Sequence, residues 1–382
     1  MQIQFSEEQL MIRDAARSFA RQELLPGVIE RDEKQYFPEE LIKKMGELGF
    51  LGLMVSPDYG GAGMDTVSYV LAMEEIAAVD ASAAVCMSVN NSLVCRGLEQ
   101  TGTGMQKQRY LLPLARGEML GAFLLSEPEA GSDAAAQQTT AVDQGDHYLL
   151  NGAKNWITNG SSASVYIVMA QSRPEQGTHG INAFIVEKSW PGVTVGLKEN
   201  KMGIRGSDTH SILFEDVKIP KENRLGEEGS GFGYAMQCLN AGRIGIAAQA
   251  LGIAAGAYER SLRYAGERQT FGKPIGMHQA IQFKLADMAT RIEAARLLCL
   301  KAAADKDLGR DYTLSSSMAK LYASDTAMWV TTEAVQIHGG YGYVKAYHVE
   351  RMMRDAKITQ IYEGTSEVQR MIISRSVLES AG

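Results

Sequence analysis

The sequence predicts a multidomain α+β fold: an N-terminal α-helical domain, a middle antiparallel β domain and a C-terminal four-helix bundle. Three observations predict it. Apolar residues recur at helical spacing through the first third, between capping signals. After Gly121 the pattern changes to short runs of β-formers divided by turn residues. From about residue 230, long Ala- and Gly-rich helical stretches return. The expected domains are 1–119, 120–226 and 227–382.

Phe5-Ser6, followed by Gln9 and Leu10, matches a capping box with a hydrophobic staple, so a helix starts at Ser6. Leu10, Ile12, Ala16, Phe19 and Ala20 give it an apolar face. Pro38 suits the first turn of a second helix that ends near Gly49. Tyr59-Gly60-Gly61-Ala62-Gly63 is a turn, and helices follow over about 66–80, 90–101 and 105–116. Tyr148–Leu150, Val165–Met169 and Ala183–Val186 read as strands, with Asn151-Gly152 and Asn159-Gly160 as turns between them. Ser211–Pro220 is the expected last strand. Ile244–Arg263 carries Ala and Gly on every face, which predicts a helix buried nearly all round. Helices near 278–308, 314–338 and 358–380 complete a bundle.

Composition narrows the function. The chain has 382 residues, 45% hydrophobic and 22% charged, the range of a folded soluble protein of two or three domains. A net charge of −7 with no basic block disfavours nucleic acid and anionic membranes as partners. The longest nearly apolar run, Ile244–Tyr258, contains Gln249 and falls short of the ~20 residues of a membrane span. No signal peptide is apparent, so a cytoplasmic protein is expected. Cys86, Cys95, Cys238 and Cys299 form no CxxC pair, and none sits beside a histidine at zinc spacing, so no metal site is expected. The glycine clusters at 60–63, 229–233 and 339–342 all miss GxGxxG. Walker A, HExxH and GxSxG are absent. NAD enzymes, kinases, zinc hydrolases and serine hydrolases therefore lose ground.

Four clusters carry a chemical signal. In the first, Phe123-Leu124-Leu125-Ser126 runs into a Pro- and Gly-broken loop ending at Ser132-Asp133. This is either an ordinary strand exit or a loop whose hydroxyls and amides bind an oxygen-rich ligand. In the second, Trp156 and Thr158 flank Ile157 and point to one face of a strand. A core Trp before a turn is one reading. A ring and a hydroxyl presented to a flat heteroaromatic cofactor is the other. In the third, Arg268-Gln269-Thr270-Phe271 and Gln279 form either a solvated interhelical loop or a diphosphate site. In the fourth, Glu363-Gly364 begins the last expected helix. It is either an acid favoured by the helix dipole or a carboxylate beside a close backbone approach.

Together the clusters resemble the acyl-CoA dehydrogenase family, and the resemblance covers essentially the whole chain. It includes the SEPxxGSD-like loop at 126–133, WITNG at 156–160, KMGIRGSDT at 201–209 and GRIGIAAQALGIA at 242–254. RQTFGKPI at 268–275, QIHGGYGY at 336–343, MRDAKI at 353–358 and IYEGTSEVQR at 361–370 follow in the family's order. Among its members the chain is most similar to the short-chain (butyryl-CoA) and short/branched-chain enzymes. The α–β–α order is that family's fold.

The resemblance implies FAD-dependent α,β-dehydrogenation of a short-chain acyl-CoA, straight or methyl-branched, to the trans-2-enoyl-CoA. Glu363 removes the α-proton and flavin N5 takes the β-hydride; electrons pass to electron-transfer flavoprotein. Members that carry the base on the long helix place it where this chain has Gly242, which cannot act as one. By the same resemblance Phe123, Leu125, Ser126, Trp156, Ile157 and Thr158 line the flavin. Arg268, Phe271 and Gln279 bind its diphosphate and adenosine half. Gln336, Gly339 and Gly340 do so from a neighbouring subunit, with Thr365, Ser366 and Glu367 near the ribityl or adenine part. Ser132, Asn240 and Arg243 contact CoA, and Gly364 lies beside the thioester. A homotetramer, a dimer of dimers, is implied. The alternatives are an acyl-CoA oxidase using O2, disfavoured by the chain's length, and a non-catalytic assembly module, disfavoured by intact Glu363, Trp156 and Thr158. Three departures stand out: Glu129 for a glycine, Asn240 for a frequent Asp, and His348 for a proline, the last read as structural. Ala84 stands where glutaryl-CoA members have an arginine, so a second carboxylate on the substrate would lack a partner.

Overall fold

The computed structural model describes residues 4–379. The N-terminal part contains α1 (Glu7–Phe19), α2 (Val28–Lys34), α3 (Glu39–Glu47), α4 (Thr66–Ala77) and α5 (Ala81–Ser88). A π-helical segment, Val89–Cys95, joins α5 to α6 (Arg96–Thr101). Two short helices follow, α7 (Gly104–Gln106) and α8 (Leu112–Ala115). Ser6 caps α1 in the expected capping box, its side chain accepting from Gln9 N.

Three expectations change here. Helix α2 was not foreseen: its sequence VIERDEK has almost no apolar stripe and buries only Val28, Arg31 and Asp32. Pro38 is the N-cap of α3 rather than a first-turn residue. Helix α5 was also missed, the expected helix starting near 90. Every residue of α5 is buried, so no polar face marks its period; its legible signal is the cap, Asp80, accepting from Ser82 and Ala83 amides.

The middle part is one eight-stranded sheet: β1 (Gly121–Leu124), β2 (Thr140–Asp143), β3 (His147–Thr158), β4 (Val165–Gln171), β5 (Ile181–Glu187), β6 (Val193–Lys198), β7 (Thr209–Pro220) and β8 (Arg224–Leu225). Its order is β6-β7-β3-β2-β4-β5-β8, with β1 also on β4. The pairings are antiparallel except that β1 and β2 run parallel to β4. Strands β4 and β5 are mostly apolar because both faces are covered, with Asn182 the polar exception inside them and Gln171 and Glu187 at their ends. Val165, Ile167 and Met169 join the helical core, while Tyr166 and Val168 turn into the sheet's own core with Phe184 and Ile212.

Asn151-Gly152 does not divide two strands; it lies inside β3. Gly152 has φ 144°, and a Cβ there would stand 2.6 Å from Thr139 Oγ1. The register shifts between Leu150 and Gly152, so the glycine marks a bulge. The strand Ser211–Pro220 is not the last, since β8 adds two residues beside β5.

The C-terminal part is built on α9 (Gly231–Glu267), which packs on α11 (Thr313–His338), α4 and α10 (Gln279–Asp307). A hairpin of β9 (Gln269–Thr270) and β10 (Lys273–Pro274) links α9 to α10. By length and composition α9 could cross a membrane, but 83% of its apolar window is buried, which makes it a core helix. It approaches α4 closely: a Cβ on Gly256 would meet Ala78 O at 2.2 Å.

The helix expected over 358–380 begins later, as α13 (Ser366–Glu379), after a helix that was not expected, α12 (Val349–Ile358); residue 380 lies outside the described residues. Glu363 and Gly364, with φ 51° and 91°, lie in the loop between the two and keep the last helix from starting at 358. His348 has φ 66°, a conformation closed to proline, which accounts locally for the histidine there.

Candidate active site

Glu363 sits in the loop between α12 and α13, where α9, α11 and the π-helical segment converge. Its Oε2 is fully covered and has no hydrogen-bond partner. A Cβ built on Gly242 of α9 would stand 2.0 Å from that oxygen and 2.9 Å from Leu93 Cδ2. Bare backbone at 242 therefore makes the room that the carboxylate occupies. Burial pushes the Glu363 carboxyl up to about 7, against the pull of the Lys320 and Arg243 cations. A carboxyl poised near neutrality is suited to general base work.

Arg243 is 6% exposed, donates to Asn240 Oδ1 and, at 3.4 Å, to Ser317 Oγ, and leaves its Nε unpaired. Tyr69 donates to Ser88 Oγ at 3.2 Å, and Tyr362 to Gln249 Oε1. Thr365 Oγ1 accepts from Val368 N at 3.3 Å, Ser366 opens α13 with its Oγ unpaired, and Glu367 is exposed. Gly364 O accepts from Lys320 Nζ at 2.7 Å and from Gln369 Nε2 at 2.9 Å.

A second group lies on the sheet. Phe123 and Ser126 are half-buried, Leu125 is buried, and Ser126 O accepts from Asn155 N at 2.9 Å. Strand β3 shifts register again between Lys154 and Ile157, and Trp156 takes φ 61°. The bulge leaves the Trp156 ring 61% exposed while Ile157 turns inward. Thr158, half-buried, pairs with Thr209 on β7. The expected alternation is thus present, carried by a bulge rather than a regular pleat.

A third group surrounds the β9–β10 hairpin and the end of α11. Arg268 lies 5.5 Å from the centre of the Tyr341 ring and, among the described residues, has no carboxylate partner. Phe271, with φ 51°, is 96% exposed and meets His278 edge-on. Gln279, at the start of α10, and Gln336, Gly339 and Gly340, at the end of α11, are exposed.

Among the described residues, no hydrogen bond or ion pair joins Trp156 or Thr158 to Glu363, nor Ser132, in an exposed loop, to Arg243 or Asn240. Glu129 is exposed in a tight turn closed by Glu127 N to Ala130 O at 3.0 Å; its φ is not positive, so the turn does not require glycine.

Among the described residues, Trp156, Phe271 and Glu363 are three of the eight non-glycine residues with positive φ. Such backbone is uncommon for large side chains and concentrates where function holds it. The residues fit an elongated flavin nucleotide. Exposed flat rings at 156 and 271 lack a cover, and the Arg268 cation lacks an anion. Sequence reasoning missed Lys320, Gln249 and Tyr69. Lys320 had a legible signal: a lysine among Ser315–Ser317, Ala319 and Ala323, the small residues of a buried helix face.

Gly242→Ala is expected to fold, because the atoms it would strike are the ends of two flexible side chains. It should lower turnover about 10²-fold by swinging the Glu363 carboxylate away. Steady-state rates beside a melting curve check this; an unchanged rate would mean that the carboxylate does not work from the observed position.

Family models for the acyl-CoA dehydrogenase N-terminal, middle and C-terminal domains match residues 6–118, 122–217 and 229–378. A short-chain specific acyl-CoA dehydrogenase of Clostridium acetobutylicum is 49% identical, over 99% of this chain and 100% of the relative. The butyryl-CoA dehydrogenase structure from Megasphaera elsdenii superposes with a TM-score of 0.97 at 50% identity, covering 99% of this chain and 100% of that one. A chain solved in work on the electron transferring flavoprotein of Acidaminococcus fermentans matches with a TM-score of 0.98 at 52% identity, covering 99% and 100%. With all three domains matched in order, this chain belongs to the acyl-CoA dehydrogenase family.

Proposed function

We propose that the protein dehydrogenates a short-chain acyl-CoA, straight or methyl-branched, to the trans-2-enoyl-CoA, with FAD as cofactor and electron-transfer flavoprotein as acceptor. The observation that carries this reading is the covered, unpartnered Oε2 of Glu363 opposite Gly242. When bound, the flavin supplies a two-electron acceptor for the β-hydride.

The chain's own groups do the rest. Glu363 removes the α-proton, its basicity sharpened by exclusion of water. The Glu363 amide donates to no group among the described residues. It is free to bond the thioester oxygen as charge develops there, a contact of the kind worth about 3 kcal/mol. Trp156 and Thr158 would hold the flavin ring, together with Phe123, Leu125 and Ser126; Ile157, its side chain in the sheet core, would do so through its backbone. Arg268, with Phe271 and Gln279, binds the diphosphate half. Arg243, Asn240 and Ser132 face CoA.

Exposed Phe283, Leu297 and Tyr343 on the C-terminal helices and loops supply apolar surface for self-association, and a homotetramer is the state we propose.

The test is an anaerobic titration of the purified flavoprotein with butyryl-CoA, with 2-methylbutyryl-CoA as comparator, on a preparation sized at four chains by light scattering. Bleaching of the oxidised flavin band by butyryl-CoA is the expected result. Bleaching by the branched thioester alone would move the substrate to the branched class. A yellow protein bleached by neither would overturn the reading.

A further inference from the structure

Lys320 enters the site so far as a cation near Glu363 and a donor to its loop, and its side chain is 0% exposed. Among the described residues its one hydrogen bond is to Gly364 O, at 2.7 Å, across 44 residues of sequence. That carbonyl belongs to the second of two consecutive left-handed residues, Glu363 and Gly364. Such a turn in a non-glycine residue persists only where its surroundings hold it. The same carbonyl is held from the other side by Gln369 Nε2 at 2.9 Å, so one peptide group is pinned between α11 and α13.

We propose that Lys320 is a positioning residue for the proton-transfer step: it clamps the Gly364 carbonyl, fixes the Glu363–Gly364 turn and so aims the Glu363 carboxylate across from Gly242. This rests on Glu363 being the base. Burying an ammonium is unfavourable, and burial draws Lys320 down to about 8. A neutral side chain would fill the helix face without that cost. What the lysine adds is a rigid donor to the loop and a positive charge near the base. The charged and titratable groups around the pair are Arg243 on α9, Tyr69 on α4, Asp325 on α11, Tyr362 in the loop and Glu367 on α13.

Two variants separate the clamp from the charge. Lys320→Met removes both; Gln369→Ala removes the second clamp and no charge. The readouts are the pH profile of anaerobic flavin reduction by butyryl-CoA and amide hydrogen exchange over 359–366. For Lys320→Met the expected result is a rate about 10²-fold lower, faster exchange in the loop and an apparent pKa displaced upward, because an attracting cation is gone. For Gln369→Ala the expected result is a slower rate and faster exchange with the apparent pKa unmoved. Lys320→Arg, which keeps charge and donors, should recover part of the rate, and it stands in if the Met variant does not fold.

A Lys320→Met enzyme with wild-type rate, pH profile and exchange would overturn the inference. So would an Arg variant that behaves as Met does with its fold intact. If the wild-type protein itself is not bleached by either thioester, the proposed function fails instead, and the two failures are distinguishable.

Discussion

Glu363→Gln is expected to slow flavin reduction by butyryl-CoA about 10²–10⁴-fold while the flavin stays bound. The amide fills the same space between Gly242 and Leu93 and cannot accept a proton at neutral pH. The sealed Oε2 has no second group poised to replace it. In the wild type the rate should rise with pH through about 7, where burial places the free enzyme's carboxyl, and level off above.

A stability change of opposite sense should accompany the loss. The folded carboxyl titrates at about 7 and the unfolded one near 4.5, so the native state holds its proton more tightly. The wild type therefore carries its full contribution below about 4.5 and loses it as pH rises through 7. Gln does not titrate. At pH 8 the variant should be the more stable by up to about 3 kcal/mol, and at pH 4.5 the gap should close. Urea unfolding of both proteins at the two pH values checks it. A variant that reduces its flavin at the wild-type rate would assign proton abstraction elsewhere.

Legibility in the sequence followed physical locality. The capping box at Ser6 and Gln9 is four adjacent residues of chemistry, and it was readable. Strands β4 and β5 were readable because both of their faces meet apolar cores, leaving the apolar runs Val165–Ala170 and Ala183–Val186. Helix α5 was invisible for the converse reason, since a helix buried on all sides shows no period. The Gly152 bulge imitated a turn because Asn-Gly suits both, and only the approach of Thr139 decides between them. Glu363 was found through the residues beside it in the chain. Lys320 was not, because the carbonyl that gives it a purpose is brought to it by the packing of α11 against the last loop.

Lys154→Met should be the most destabilising of these substitutions, by about 3–5 kcal/mol, because it leaves a buried carboxylate without its cation. Lys154 is 0% exposed and donates to Glu127 Oε1 at 2.8 Å, Leu125 O at 3.0 Å and Gln137 Oε1 at 3.2 Å. Glu127 in turn accepts from the amides of Gln138 and, at 3.0 Å, Thr139. Burial works against the Glu127 charge, but Lys154 and these donors outweigh it and hold the carboxyl below its ordinary value. The pair ties the loop after β1 to the strand that carries Trp156. Its loss should therefore also release flavin, which a surface substitution such as Lys218→Met should not do.

Lys154→Met with Glu127→Gln removes both charges and keeps an acceptor for one of the two amides, which donate to different oxygens of Glu127. It should recover part of the loss, since replacing a buried pair costs less than breaking one. Unfolding midpoints and bound flavin per chain, measured for both single variants and the double, read the coupling directly. Additive losses would mean that the two side chains act independently and that the loop and the strand are held together by Asn155 N to Ser126 O and the sheet alone.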